Sequence, residues 1–318
     1  MNQPNYSRFR SEIELISVVF MWGLNFPVIK IILEVMPPDV LNVFRVMAAG
    51  AVLSFIQMRR SSWSMTTFWE PFRRDPKAFI ILSFVGWVLY QIAFITGLNL
   101  TSAGNGALIM ASAPIWTAIV ARVMGIDRLS KLAWLGLLVS IIGTVMVVAM
   151  GNAEISLSKD LLWGNGIILL AAFFWGSYTA MARPMVAKHT PLSLTVLALL
   201  IALPFLLLYS IPFWSQIDWA KITWLYWIAI FFSGSLSTGI AIVFWNNSVR
   251  TLGASHTAAY GNVVPLIALF SSYLMLGNDI VPAQLWGGTL IIGGLVIMRW
   301  ARKRLKRNEQ IPPVRIHG

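Results

Sequence analysis

The chain has no cysteine, only three histidines, and little charge: Asp, Glu, Lys and Arg together make up 11% of its 318 residues. Without thiols there is no disulfide framework, thiolate metal site or cysteine nucleophile, and the redox compartment leaves no mark. The histidines, His189, His256 and His317, fall at or beyond the ends of apolar runs, and neither His-Glu-x-x-His nor Gly-x-Ser-x-Gly occurs. The usual signatures of a hydrolase are therefore missing, and no metal or cofactor is expected. Globular chains carry about 25% charged residues. Here hydrophobic residues reach 58% and mean hydropathy is +0.74. A membrane-crossing helix takes about 20 apolar residues, so the chain has room for roughly ten and for little else.

Breaks at Gly, Pro and charge clusters predict spans at 13–34, 38–58, 78–99, 102–124, 132–150, 162–187, 191–212, 222–249, 254–276 and 282–300. These are continuous apolar runs rather than short alternating ones, which favours helices over a barrel. The expected fold is an all-α integral membrane protein with ten transmembrane helices. The first run is long, is broken by Asn25, Pro27 and Lys30, and lacks a small-residue cleavage site, so it is expected to stay as the first helix.

Ten crossings put both termini on one side. With that side cytoplasmic, 20 of the 24 basic residues fall in the inner loops and tail, the outer loops keep only Lys159 and Lys221, and Lys30 and Arg45 lie within spans. This bias predicts an N-in, C-in protein of the cell membrane and accounts for the net charge of +12 without a nucleic-acid partner. The basic tail within 301–318, with Arg302, Lys303, Arg304, Lys306 and Arg307, reads as a contact for anionic lipid headgroups.

The chain also matches itself. Shifting by 153 places Trp22-Gly23 on Trp175-Gly176, Asn25 on Tyr178, Lys30 on Arg183 and Pro38 on Pro191. A shift of 151 places Asn105 on His256, Pro114 on Pro265, Gly136 on Gly287 and Gly143 on Gly294. The ordered set predicts a duplication. A cytoplasmic segment (1–12) leads into one five-helix repeat (13–150), followed by an external linker (151–161), a second repeat (162–300) and the tail. Five is odd, so the second copy enters from the opposite side. Inverted repeats around a central cavity provide two similar-energy states facing opposite compartments, which points to transport. An intramembrane enzyme lacks its motifs, and a non-transporting scaffold or sensor has no evident use for the inversion.

At these residues the sequence resembles the drug/metabolite transporter superfamily, specifically its EamA-type ten-helix exporters. The resemblance is carried by Trp22-Gly23-Leu24-Asn25-Phe26-Pro27 with Lys30, by Pro37-Pro38 followed by Arg45, by Thr101 to Ala107 leading to Pro114, and by Leu252-Gly253-Ala254-Ser255 leading to Pro265. It implies a basket of helices around a cavity, with the last helix of each repeat as peripheral support. It also implies export of amino acids or other small metabolites.

Intramembrane charge costs roughly 2.5–3.5 kcal/mol at a helix centre on insertion scales, so each case needs a reason. Arg45 lies seven residues in from Pro38, about 10 Å deep. It reads either as a recognition group for a substrate carboxylate, or a gate paired with Glu34 or Asp39, or as a structural cation on backbone carbonyls. Lys30 is expected to snorkel outward, and Arg183 to anchor topology. Every Asp and Glu is placed in a loop or at a span boundary, which favours a uniporter or downhill exporter over proton coupling. The proton-coupled antiporter remains the alternative.

Mid-span polar and aromatic residues supply the candidate lining: Asn25, Tyr90, Gln91, Asn105, Trp116, Trp175, Tyr178, His256 and Tyr260, together with Arg45. For His256 a solvated or capping position at the inner end of the ninth span is the competing reading. Trp22 and Asn25 share a face that should oppose Trp175 and Tyr178 across the pseudo-axis. Gly136/Gly143 and Gly287/Gly294, each two turns apart, should let helices approach closely. The expected substrate is a small zwitterionic or anionic metabolite.

Overall fold

The computed structural model describes residues 8–100, 109–126, 129–149, 159–276 and 282–310, and every described element is helical. In chain order these are α1 (Arg8–Leu33), α2 (Pro38–Arg60), α3 (Met65–Arg74), α4 (Pro76–Leu100), α5 (Ala113–Val123), α6 (Lys131–Ala149), α7 (Lys159–Lys188), α8 (Pro191–Ser210), α9 (Trp224–Leu252), α10 (Ala254–Met275) and α11 (Pro282–Gln310). Among the described residues seven helices, α1, α2, α4 and α7 to α10, are long and apolar enough to cross a membrane, and shorter apolar stretches lie in α5, α6 and α11. Their outer faces keep residues such as Phe20, Phe55, Leu138, Leu208, Phe231 and Val296 exposed. Apolar surface on this scale belongs against lipid.

The helix starts follow from local chemistry. α2, α4 and α8 each begin with proline, whose missing N–H lies where no intrahelical bond is needed. Thr190 caps α8 by accepting from the Ser193 N–H at 3.1 Å. α9 stops where Gly253 takes φ +90°, and α10 begins at the next residue. Two helices change pitch in mid-course: α4 is π-helical over Phe84–Leu89 and α9 over Phe232–Ile240. These segments correspond under the sequence duplication, and π turns recur where function requires a displaced side chain.

Glycines fix the closest approaches. A Cβ at Gly294 would lie 2.5 Å from the Gly136 carbonyl oxygen, and one at Gly143 would lie 2.5 Å from that of Gly287. α6 and α11 therefore run antiparallel with their backbones in contact, as the paired glycines predict. α2 and α8 are antiparallel too: Gly50 abuts Leu199, and Gln57 Nε2 donates to Ser193 Oγ at 2.9 Å. Across the molecule Gly23 of α1 lies under Ile267 and Ala268 of α10, while Gly176 of α7 lies under Trp116 and Thr117 of α5. Partners and glycines alike map onto each other through the same shifts that align the sequence with itself.

Candidate functional site

The helices enclose a cavity built around residues near their middles. α1 contributes Trp22, Asn25, Phe26 and Ile29, the i, i+3, i+4 and i+7 positions of one face. α2 adds Arg45, α4 adds Tyr90, Gln91 and Phe94, α7 adds Trp175, and α9 adds Ser237, Thr238, Ile242 and Trp245. Met110, Ala111, Ala113 and Pro114, with Ala258, Gly261, Val264 and Pro265 of α10, close the remaining wall. The centres of water-sized molecules have about 100 Å³ available. That is more than one ordered water needs and suits a small metabolite.

Three indoles form one wall. Trp22 and Trp175, equivalent under the sequence shift, meet edge to face at 5.4 Å, and Trp245 lies 4.9 Å from Trp22 and 5.6 Å from Trp175. Tyr90 stands 5.0 Å from Trp175 on the other flank. The expected opposition of the α1 and α7 faces is thus present as direct ring contact. Trp22 Nε1 donates to the Ser237 carbonyl at 2.9 Å, and Ser237 Oγ donates to the Met21 carbonyl at 3.0 Å.

Arg45 is buried, with a relative exposure of 4%. Its position depends on the α9 π turn. Gly234 lets the two backbones meet, since a Cβ there would lie 2.5 Å from the Arg45 carbonyl oxygen. Thr238 Oγ1 donates to the Ser233 carbonyl at 2.8 Å and accepts from Arg45 Nη2 at 2.9 Å. The other guanidinium nitrogens, Nε and Nη1, are buried without a hydrogen-bond partner, and so are Asn25 Oδ1 and Gln91 Oε1. A buried donor or acceptor left unmade costs about 1–3 kcal/mol, more for a charged group. A cavity lined by a cation with three unmade N–H bonds on two nitrogens, and by two unpaired amide oxygens, is therefore strongly poised for a polar guest.

Of the residues expected at the site, Asn25, Arg45, Tyr90, Gln91 and Trp175 line this cavity. Trp116 instead lies against Gly176 and Phe173. Tyr178 lies beyond the cavity, its ring so close to Gly86 that a Cβ would meet it at 2.2 Å. It accepts from Asn246 Nδ2 at 2.8 Å, which also donates to Thr195 Oγ1 at 3.0 Å, and Trp245 Nε1 donates to Thr179 Oγ1 at 3.2 Å. These side chains form a buried polar network that joins α7, α8 and α9 in the half of the bundle that holds the end of α9. His256 and Tyr260 meet edge to face at 5.8 Å outside the lining. His256 is buried rather than solvated, because the Gly253 turn starts α10 inside the bundle. Asn105 lies outside the described residues.

The charged candidates also find definite places. Lys30 Nζ donates to the Leu98 carbonyl at 3.1 Å, at the end of α4 where backbone acceptors lack helical partners. Glu34 is exposed and Asp39 half-buried, and among the described residues neither forms an ion pair with Arg45. Arg183 donates to the Val249 and Arg250 carbonyls at the end of α9. α1 extends back to Arg8, and Glu14, expected at the boundary of the first span, is buried there 3.6 Å from Arg10. Sequence reasoning also passed over Thr238, although Ser233-Gly234-Ser235-Leu236-Ser237-Thr238-Gly239 is conspicuously small and polar for mid-span.

At the same end of the bundle, outside the spans, Asp75 joins α4 to α7: its carboxylate meets His189 Nε2 at 2.7 Å and Lys188 Nζ at 3.2 Å. The bond to His189, then that to Lys188, holds the Asp75 carboxyl below the usual carboxylate range. A depressed folded-state pKa stabilises above the unfolded value, and this is lost as pH falls through the folded one. Asp75→Asn should therefore lower the unfolding temperature at neutral pH, with the two proteins converging below roughly pH 4.

The EamA-like transporter family profile matches twice, over residues 11–149 and 162–300. The uncharacterized transporter YyaM of Bacillus subtilis is 30% identical over 224 residues, 70% of this chain and 73% of that protein. A probable terminal-alkyne amino-acid exporter of Streptantibioticus cattleyicolor is 26% identical over 93% of this chain and 95% of that one. A solved crystal structure superposes with a TM-score of 0.78 at 17% identity, covering 94% of this chain and all of the other, and so shares the fold.

Proposed function

The chain belongs to the EamA-like transporter family and is a multi-pass membrane transporter, and from that premise we propose that it exports small zwitterionic or anionic metabolites, amino acids foremost. The observation that carries this is the buried Arg45 guanidinium with two unbonded nitrogens in a cavity that also holds the free amide oxygens of Asn25 and Gln91. A substrate carboxylate satisfies the cation through charge-assisted bonds. An α-ammonium satisfies the amide oxygens, and an apolar side chain rests on Trp22, Trp175 and Tyr90. The name of the Streptantibioticus relative agrees with that class.

In this proposal ten helices form two inverted five-helix repeats, 13–150 and 162–300, with both termini cytoplasmic and the linker 151–161 external. The antiparallel pairing of α6 with α11 and of α2 with α8 supports it, because helices equivalent under the duplication then run in opposite senses. The excess of basic residues in alternate loops supports the orientation. The Tyr178–Asn246–Thr195 network then closes the cytoplasmic half, and alternating access consists of opening it while the outer half closes.

Transport is read as uniport or downhill efflux. Proton-coupled antiport is the second reading, and the buried Glu14 carboxylate is the observation that favours it. A labelled metabolite panel in proteoliposomes, with and without a pH gradient, tests both. Flux of amino acids that persists without the gradient is expected. Flux that collapses without it selects the coupled mechanism, and none across the panel removes the substrate class.

A further inference from the structure

We propose that the turn between α2 and α3 is a binding site for the headgroup of an acidic phospholipid, formed by Trp63 with Phe55, Arg59 and Arg60. The backbone draws attention to it first. Ser62 and Trp63 have φ of +51° and +59°, the left-handed region that a bulky side chain rarely enters and that helix ends usually reserve for glycine. The conformation is held by a Trp63 N–H bond to the Met58 carbonyl at 2.8 Å, a Ser64 N–H bond to the Ser61 carbonyl at 3.0 Å, and a Ser61 Oγ bond to the Met58 carbonyl at 3.1 Å. An unfavourable conformation at an aromatic residue calls for a reason in what the side chain then reaches.

The Trp63 ring folds back along α2 to meet the Phe55 ring edge to face at 5.9 Å. Phe55 lies five residues before the end of α2 at Arg60, about 7.5 Å inward from that end, and the indole is in contact with it. Both rings stay more than half exposed, as does Met65. The Arg59 guanidinium lies over the same Phe55 ring, 5.9 Å from its centroid, and Arg60 is exposed beside it. Neither arginine has an ion-pair partner among the described residues. An indole at interfacial depth under two unneutralised guanidiniums matches the border between acyl chain and phosphate. α3 holds the turn in place by burying Phe68, with Ser64 capping its first turn. The charge selects an acidic lipid over a zwitterionic one, and this site is separate from the basic tail and independent of the transport reading.

The test uses the full chain with its tail basics replaced by glutamine, so that only the turn reports. Retention of phosphatidylglycerol against phosphatidylcholine is counted by native mass spectrometry, and unfolding temperature is followed in nanodiscs of each lipid. Trp63→Gly suits the left-handed turn and should unfold no earlier than the parent in lipid-free detergent, yet lose most retained phosphatidylglycerol. Arg59→Gln with Arg60→Gln should weaken retention roughly fivefold each, about 25-fold together. Unchanged phosphatidylglycerol retention in both variants, or equal retention of phosphatidylcholine by the parent, overturns the site. Should Trp63→Gly unfold early, the double arginine variant, which leaves the turn's backbone untouched, decides alone.

Discussion

Arg45→Met is expected to lower transport of carboxylate-bearing substrates by about 10- to 100-fold while the protein folds normally and unfolds at a higher temperature. Hydrogen bonds to a charged group contribute about 1.5–3 kcal/mol, and each 1.4 kcal/mol is tenfold, which sets the range. The gain in stability has the opposite origin. A guanidinium bonded only through Nη2 to Thr238 is a buried cation short of partners, and replacing such a group with an apolar side chain of similar length is often neutral or stabilising. Arg45→Lys keeps the charge without the planar fork and should fall between. Flux assays beside thermal unfolding in the same detergent check both halves. Lower flux accompanied by lower stability would instead make Arg45 a structural cation.

The second large effect separates two adjacent glycines of α11. Gly294→Ala should destabilise by about 1–3 kcal/mol, because its Cβ would lie 2.5 Å from the Gly136 carbonyl oxygen and 2.6 Å from the Ser140 nitrogen, backbone atoms that cannot swing aside. Gly293→Ala meets nothing within 4 Å and should stabilise by up to about 1 kcal/mol through helix propensity alone. Gly136→Ala should reproduce the Gly294 effect, since a Cβ there would lie 2.7 Å from the Gly294 carbonyl oxygen. Denaturant or thermal unfolding of the three variants settles the comparison. Equal responses at 293 and 294 would refute the close α6–α11 contact.

The glycine pairs and the meeting of Trp22 with Trp175 were legible in the sequence through spacing within a helix combined with the internal shift, and the burial of Arg45 through its depth after Pro38. The positions of Trp116, Tyr178 and His256 were not. Spacing shows which residues share a face but not which neighbour covers that face, and Gly176 and Gly86 draw Trp116 and Tyr178 into helix contacts. The burial of Glu14 was not legible either, because a helix that continues beyond the apolar stretch carries no hydropathy signal of its own. Thr238 was missed for a related reason: its role depends on a π turn, which periodicity tuned to 3.6 residues does not detect.

Those π turns have a consequence for how the protein tolerates change. A π turn holds one residue more than the α-helical path it replaces, so α4 and α9 each store a spare residue within the bundle. Deleting one residue inside Phe84–Leu89 lets α4 relax to ordinary pitch with both ends keeping their present faces, whereas the same deletion a turn later rotates everything beyond it by about 100° and carries Phe94 away from the cavity. Length variation in these two helices is therefore confined to the segments that already bulge.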